Sequence, residues 1–249
     1  MAGTCSASPA TRPPIRGTVL RTYLGRGVAA GLLAGLLSGL FAYFFGEPHV
    51  DRALTLEEAG AFNRVVDRPA QRLGLVVAVT LYGASVGALF GLAFAFLRDR
   101  MAAPDDWTRS VRLAAALFAG LFFLPFLKYP ADPPGTGDPS TIGFRTVAYL
   151  VTVAVCVVAV FVAWNVGRVL REQGVGTAAR QALISAGLVV ALAGFFFALP
   201  PATDPGNFPG DVLWDFRISA LATQALLWAL LGGVFGLLCD RTNRGKAAL

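Results

Sequence analysis

The chain holds 249 residues, of which 55% are hydrophobic and only 14% charged, and its mean hydropathy is +0.62. A soluble domain carries roughly 25% charged residues, so a soluble enzyme, a disordered chain and a disulfide-stapled scaffold are excluded. The net charge of +6 does not mark a nucleic-acid binder, because the basic residues fall where membrane topology would put them.

The chain opens on a basic, proline-containing stretch, and residues 1–23 are expected to form a flexible tail. Charge-free runs follow at 27–46, 73–97, 113–127, 146–167, 182–199 and 218–239. About 20 helical residues cross a hydrocarbon core about 30 Å thick, and all but the third run fit that length. The first lacks a small-residue cleavage site and is too long for a signal h-region, so it stays as a membrane helix. The third has 15 residues, about 22 Å as a helix. Arg112 and Lys128 are expected to snorkel at its ends, with Trp107 and Tyr129 as interfacial anchors. Omitting it gives five spans with termini on opposite sides, the main alternative topology. The expected fold is all-α: a polytopic transmembrane bundle of six spans occupying residues 24–240, with a tail at 241–249.

With six spans, the segments expected on the side of the termini hold 14 basic residues and the other three loops hold 7. The positive-inside rule puts the richer set in the cytoplasm, so both termini are expected there, in a plasma membrane. Acidic residues run the other way, with 10 of 15 in the three outer loops. Demoting the third run would reverse every later loop and spoil this asymmetry.

Glycines recur every four residues at Gly27, Gly31, Gly35 and Gly39 and again at Gly83, Gly87 and Gly91. Such stripes let helix backbones approach closely, and Gly232 and Gly236 suggest the same on the last span. The alternative is a water-lined path on glycine backbone. The third and fifth loops look alike: each opens on proline, contains an Asp-Pro step and closes on Phe-Arg. Asp132 then matches Asp204, Asp138 matches Asp211, and Arg145 matches Arg217. That predicts a parallel duplication of helical hairpins, with Arg145 paired to Asp138, and Arg217 to Asp211 or Asp215, while Asp132 and Asp204 stay freer. Pro125 and Pro200-Pro201 remove amide donors, leaving nearby carbonyls to water, a side chain or a cation.

No catalytic set is visible, and the chain is not expected to be an enzyme. His49 is the one histidine, no serine motif accompanies it, and no nucleotide-binding P-loop is present. Cys5, Cys156 and Cys239 lack metal-ligand spacing. The candidate metal residues lie in the outer loops: Glu47, His49 and Asp51 alternate, which on an extended segment puts them on one side. Asp132 and Asp204 join them. Imidazole with carboxylate oxygen suits divalent first-row metals; the bland alternative is a solvated acidic loop with an incidental histidine. No bound cofactor is expected, only a transported cation. The amides of Asn165 and Gln224 are expected to bond neighbouring helices, and the spans hold no carboxylate, which argues against a proton-coupled carrier with an acidic relay.

The segments FFGEPHVDRALTLEEAG, LKYPADPPGTGDPSTIGFRTVAYL and FPGDVLWDFRISALATQALLW resemble the CbtA family, predicted cobalt transporter subunits of bacteria. The similarity runs from about Tyr23 to the end. It implies cobalt uptake feeding cobalamin synthesis, and a small single-span partner carrying a histidine-rich metal site. It transfers no ligand residues. The expected function is that of a membrane subunit of a divalent-metal transporter, for cobalt, with a non-transporting scaffold for the small partner as the alternative.

Overall fold

The computed structural model describes residues 16–57, 67–134, 136–202 and 208–247. Every regular element among them is helical. Helix α1 (Arg16–Phe41) runs through a π-helical turn (Ala42–Gly46) into α2 (Glu47–Glu57), and α3 spans Arg68–Leu97. The next span is α4 (Asp106–Phe118), a second π turn (Ala119–Phe123) and α5 (Leu124–Lys128). Then come α6 (Ile142–Glu172), α7 (Thr177–Ala198) and α8 (Gly210–Ala247). Among the described residues six stretches are long and apolar enough to cross a membrane: Val19–Thr55, Arg68–Arg100, Asp106–Lys128, Ile142–Glu172, Thr177–Ala198 and Gly210–Asp240. In hydrocarbon every backbone amide must be bonded internally, and helices do that residue by residue.

The third span is longer than its charge-free run because its polar start is internally neutralised. It has 23 residues, about 34 Å. Asp106 is 3% exposed and receives Arg98 Nη2 at 3.1 Å and Arg109 Nη1 at 2.9 Å. Arg109 and Arg112 fold back to donate to the carbonyls of Met101, Ala103 and Ala102. The Asp105 carboxylate caps α4 by accepting from Thr108 N at 2.6 Å, which holds this exposed carboxyl below its ordinary range.

Glycine decides how α1 meets α3. A Cβ placed on Gly31 would sit 2.1 Å from the carbonyl oxygen of Gly83, and one on Gly87 would sit 2.1 Å from that of Gly27. No other residue permits that approach, and dispersion between the two backbones holds the pair. Helix α8 packs on α1 and α4. Ser110 Oγ donates to Gly232 O at 2.6 Å, and a Cβ on Gly236 would meet Trp107 Cα at 2.8 Å. Tyr23, Phe90, Phe94 and Phe235 cluster where these helices converge, with Phe235 edge-on to both α3 rings at 5.1 and 5.0 Å. Tyr23 and Phe235 touch at 6.3 Å, so the start of α1 and the end of α8 share one end of the bundle, the termini end; α2 marks the other.

Helix α7 is peripheral. Leu192, its buried side chain, packs in a small cluster with Leu124 and Cys156, and most of its apolar surface is left for lipid. The parallel duplication is not confirmed. The third span carries a π turn where α7 continues as α-helix, and part of the fifth loop (203–207), including Asp204, lies outside the described residues.

The charged cap at the α2 end

Gly46 does not end the first helix. The π turn shifts the hydrogen-bond register just ahead of Pro48, which has no amide to donate, and the chain continues as α2. The segment 47–51 is therefore helical, not extended. Glu47 and Asp51, four residues apart, share one face, and His49 points elsewhere.

That face meets the first turn of α3. Arg68 Nη2 donates to Glu47 Oε2 and to Asp51 Oδ1, each at 2.6 Å. Its Nε reaches Asp51 Oδ1 at 3.1 Å and its Nη1 reaches Gln71 Oε1 at 2.8 Å. Arg72 donates to Asp51 Oδ2 and lies 3.6 Å from Glu47 Oε2. Two carboxylates are thus matched by two guanidiniums, and this cluster is neutral. The Glu47 side chain is 9% exposed, so a cation reaching it must displace an arginine.

His49 faces α8. Its Nδ1 is buried without a hydrogen-bond partner and lies 3.8 Å from Asp215 Oδ2. The same oxygen is 3.7 Å from Arg52 Nη1. Asp215 is 166 positions from His49, and no local pattern announces the pair. Its place early in α8, at the mouth of the last span, is the one feature the sequence offers.

Asp132 is not free. Arg217 Nη2 donates to its Oδ1 at 2.7 Å and Arg217 Nε donates to Ala131 O at 3.3 Å, with both side chains less than a fifth exposed. Arg217 therefore ties the third loop to α8, where pairing with Asp211 or Asp215 was expected. Asp138 accepts from Ser140 N at 2.8 Å, which lowers its pKa, and Arg145 has no carboxylate partner among the described residues. Asp132 and Arg145 both line a cavity of about 580 Å³, with Tyr129, Thr136 and Tyr149. The carbonyls freed near Pro200 do find a cation, and it is Lys128: its Nζ donates to Phe196 O at 2.8 Å and Leu199 O at 3.4 Å. Tyr129 donates to Pro200 O at 2.9 Å.

Two intramembrane amides behave differently. Asn165 stays within its helix, donating to Phe161 O at 2.8 Å and accepting from Arg168 at 2.9 Å, contrary to the interhelical bond expected. Gln224, on α8, leaves its Oε1 buried and unpartnered. Among the described residues, no group of three or more His, Cys, Asp or Glu is placed to hold a metal ion.

Six long apolar helices under an ion-paired cap define a multi-pass helical membrane protein. The family model for CbtA, described as a probable cobalt transporter subunit, matches residues 20–240, and the chain belongs to that family. As a subunit it works in a complex with at least one other protein. No curated protein and no solved structure matches it.

Proposed function

We propose that this chain is the membrane subunit through which a divalent cation, cobalt, enters a bacterial cell, with the α2 end outside and both termini in the cytoplasm. The observation that carries the reading is the pairing of the chain's single imidazole with a carboxylate, His49 Nδ1 facing Asp215 Oδ2 at 3.8 Å, in a chain of this family. Imidazole nitrogen with carboxylate oxygen is a ligand set suited to cobalt. Asp204 adds negative charge, and Glu47, Asp51 and Asp132 add oxygens that arginine holds until a cation competes. His49 and Asp215 are two ligands, so water or the partner completes the shell. A small, single-span, histidine-rich subunit fits that need.

No catalytic or nucleotide-binding role is proposed. A divalent cation crossing about 100 mV, inside negative, gains about 4.6 kcal/mol, enough for about 2,000-fold accumulation. The test is cobalt uptake against concentration in cells at equal protein level. His49→Ala and Asp215→Asn should each lower uptake at limiting cobalt far more than at high cobalt. Unchanged concentration dependence would remove the pair from the path. A second reading, a scaffold that stabilises the metal-binding partner, is favoured by the neutralised Glu47–Asp51 cluster and the lack of a three-ligand group among the described residues. It predicts that deleting the chain lowers the partner's abundance while restoring that abundance restores uptake.

A further inference from the structure

At the termini end the third span and α6 part company. They touch at the second π turn, where a Cβ on Gly120 would lie 3.2 Å from Val157 Cα. From there toward the termini they enclose a cavity of about 500 Å³ whose walls include Leu113, Leu117, Val160 and Phe161. Its polar lining is limited to Arg100, Asn165 and Arg168, and no Asp or Glu lines it. Val157 and Arg168 are eleven residues apart on α6, about 16 Å along the axis. That is about the depth of one leaflet, half of a hydrocarbon core about 30 Å thick. The cavity is therefore apolar through one leaflet and cationic at the interface, where Trp164, a residue suited to that boundary, also lines it.

We propose that this wedge is a binding site for one anionic phospholipid, an acyl chain lying against Val157, Val160 and Leu117 and the phosphate held by Arg100 and Arg168. Each guanidinium carries five N–H donors. Arg100 commits Nη1 to Phe96 O at 3.2 Å and Arg168 commits Nη2 to Asn165 Oδ1 at 2.9 Å, which orients both heads and leaves donors for a phosphate oxygen. The rim sets the occupant: two arginines with no carboxylate beside them suit a ligand bearing a phosphate, whereas a partner's apolar membrane helix would leave both guanidiniums unmatched. A zwitterionic lipid fills the apolar part equally well but offers the two arginines a headgroup with its own cation. The charge at the rim selects the anionic one.

The test is native mass spectrometry of the full chain, purified in detergent with equal amounts of phosphatidylglycerol and phosphatidylcholine, scoring singly occupied protein. Phosphatidylglycerol should be retained preferentially. Arg100→Gln with Arg168→Gln should cut that preference by about thirtyfold, whereas Arg171→Gln with Arg180→Gln, outside the cavity, should preserve it. Ala116→Phe fills the cavity and leaves both arginines in place, so it should reduce retention of both lipids. Should the double glutamine variant fail to fold, the paired Arg100→Lys and Arg168→Lys variant, which keeps the charge, should retain the preference and Ala116→Phe still decides. Equal retention of the two lipids by the wild type would overturn the proposal. So would a loss just as large in the Arg171 and Arg180 control, or undiminished binding in Ala116→Phe.

Discussion

Arg217, in the second turn of α8, donates to the Asp132 carboxylate of the third loop at 2.7 Å, joining residues 85 positions apart in a setting where neither side chain is more than a fifth exposed. The bond fixes where the loop sits above the bundle and gives the arginine near the positive end of α8 the compensating charge it needs.

Each half of that pair strands the other when removed. Arg217→Ala and Asp132→Asn should therefore each destabilise the protein by about 1–3 kcal/mol. The double variant should cost little more than either alone, because the contact is lost once. Thermal unfolding in detergent measures this, and strictly additive losses would show that the two residues act independently.

The glycine contact is stricter. Gly31→Ala puts a Cβ 2.1 Å from the Gly83 carbonyl, so α1 and α3 must separate, costing about 1–3 kcal/mol or more. Gly187→Ala on α7 meets nothing within 4 Å and should be neutral or slightly stabilising by helix propensity. Monodisperse yield of the two variants separates them; equal yields would mean that the α1–α3 contact does not limit folding.

Much of this architecture was legible in the chain. A charge-free run of 20 residues has one way to satisfy its amides in lipid, so the helices could be read directly. The four-residue glycine spacing marked which faces approach closely, though not which helices would pair. The cap was much less legible. An alternating Glu47, His49, Asp51 suggests a strand only if Gly46 ends the helix, and a π turn let the helix continue instead. Arg68 and Arg72 meet residues 17 to 25 positions earlier, Arg217 meets one 85 positions earlier, and Asp215 meets one 166 positions earlier. Such partners are chosen by tertiary packing, and a single sequence carries no period that reveals them. The likeness of the third and fifth loops also misled: Arg145 and Arg217 occupy matching sequence positions, but Arg217 pairs with Asp132 while Arg145 has no carboxylate partner among the described residues.

Orientation is open to a direct check. A reporter active only in the cytoplasm, fused after Leu249, should be active, as should one fused before Met1, because an even number of crossings returns the chain to its starting side. Activity at one terminus alone would mean that one of the six helices does not cross.

Lys128 should be needed for stability more than for transport. It donates to two carbonyls at the end of α7, where a cation is favoured by the helix dipole. Lys128→Met keeps the apolar stem and loses the charge, so it should lower the unfolding temperature by a few degrees, equivalent to about 1 kcal/mol. Its uptake per folded molecule should be unchanged. A normal unfolding temperature with impaired uptake would instead put Lys128 on the path.

The central claim is that this chain, with its partner, conducts a divalent cation. The most direct measurement is cobalt entry into proteoliposomes containing the complex as it co-purifies from membranes, under a potassium diffusion potential of about 100 mV, inside negative. Cobalt should accumulate with the imposed potential, to at most about 2,000-fold, without nucleotide, and accumulation should fall at low cobalt in the His49→Ala complex. Entry no faster than into protein-free vesicles at that potential would contradict it.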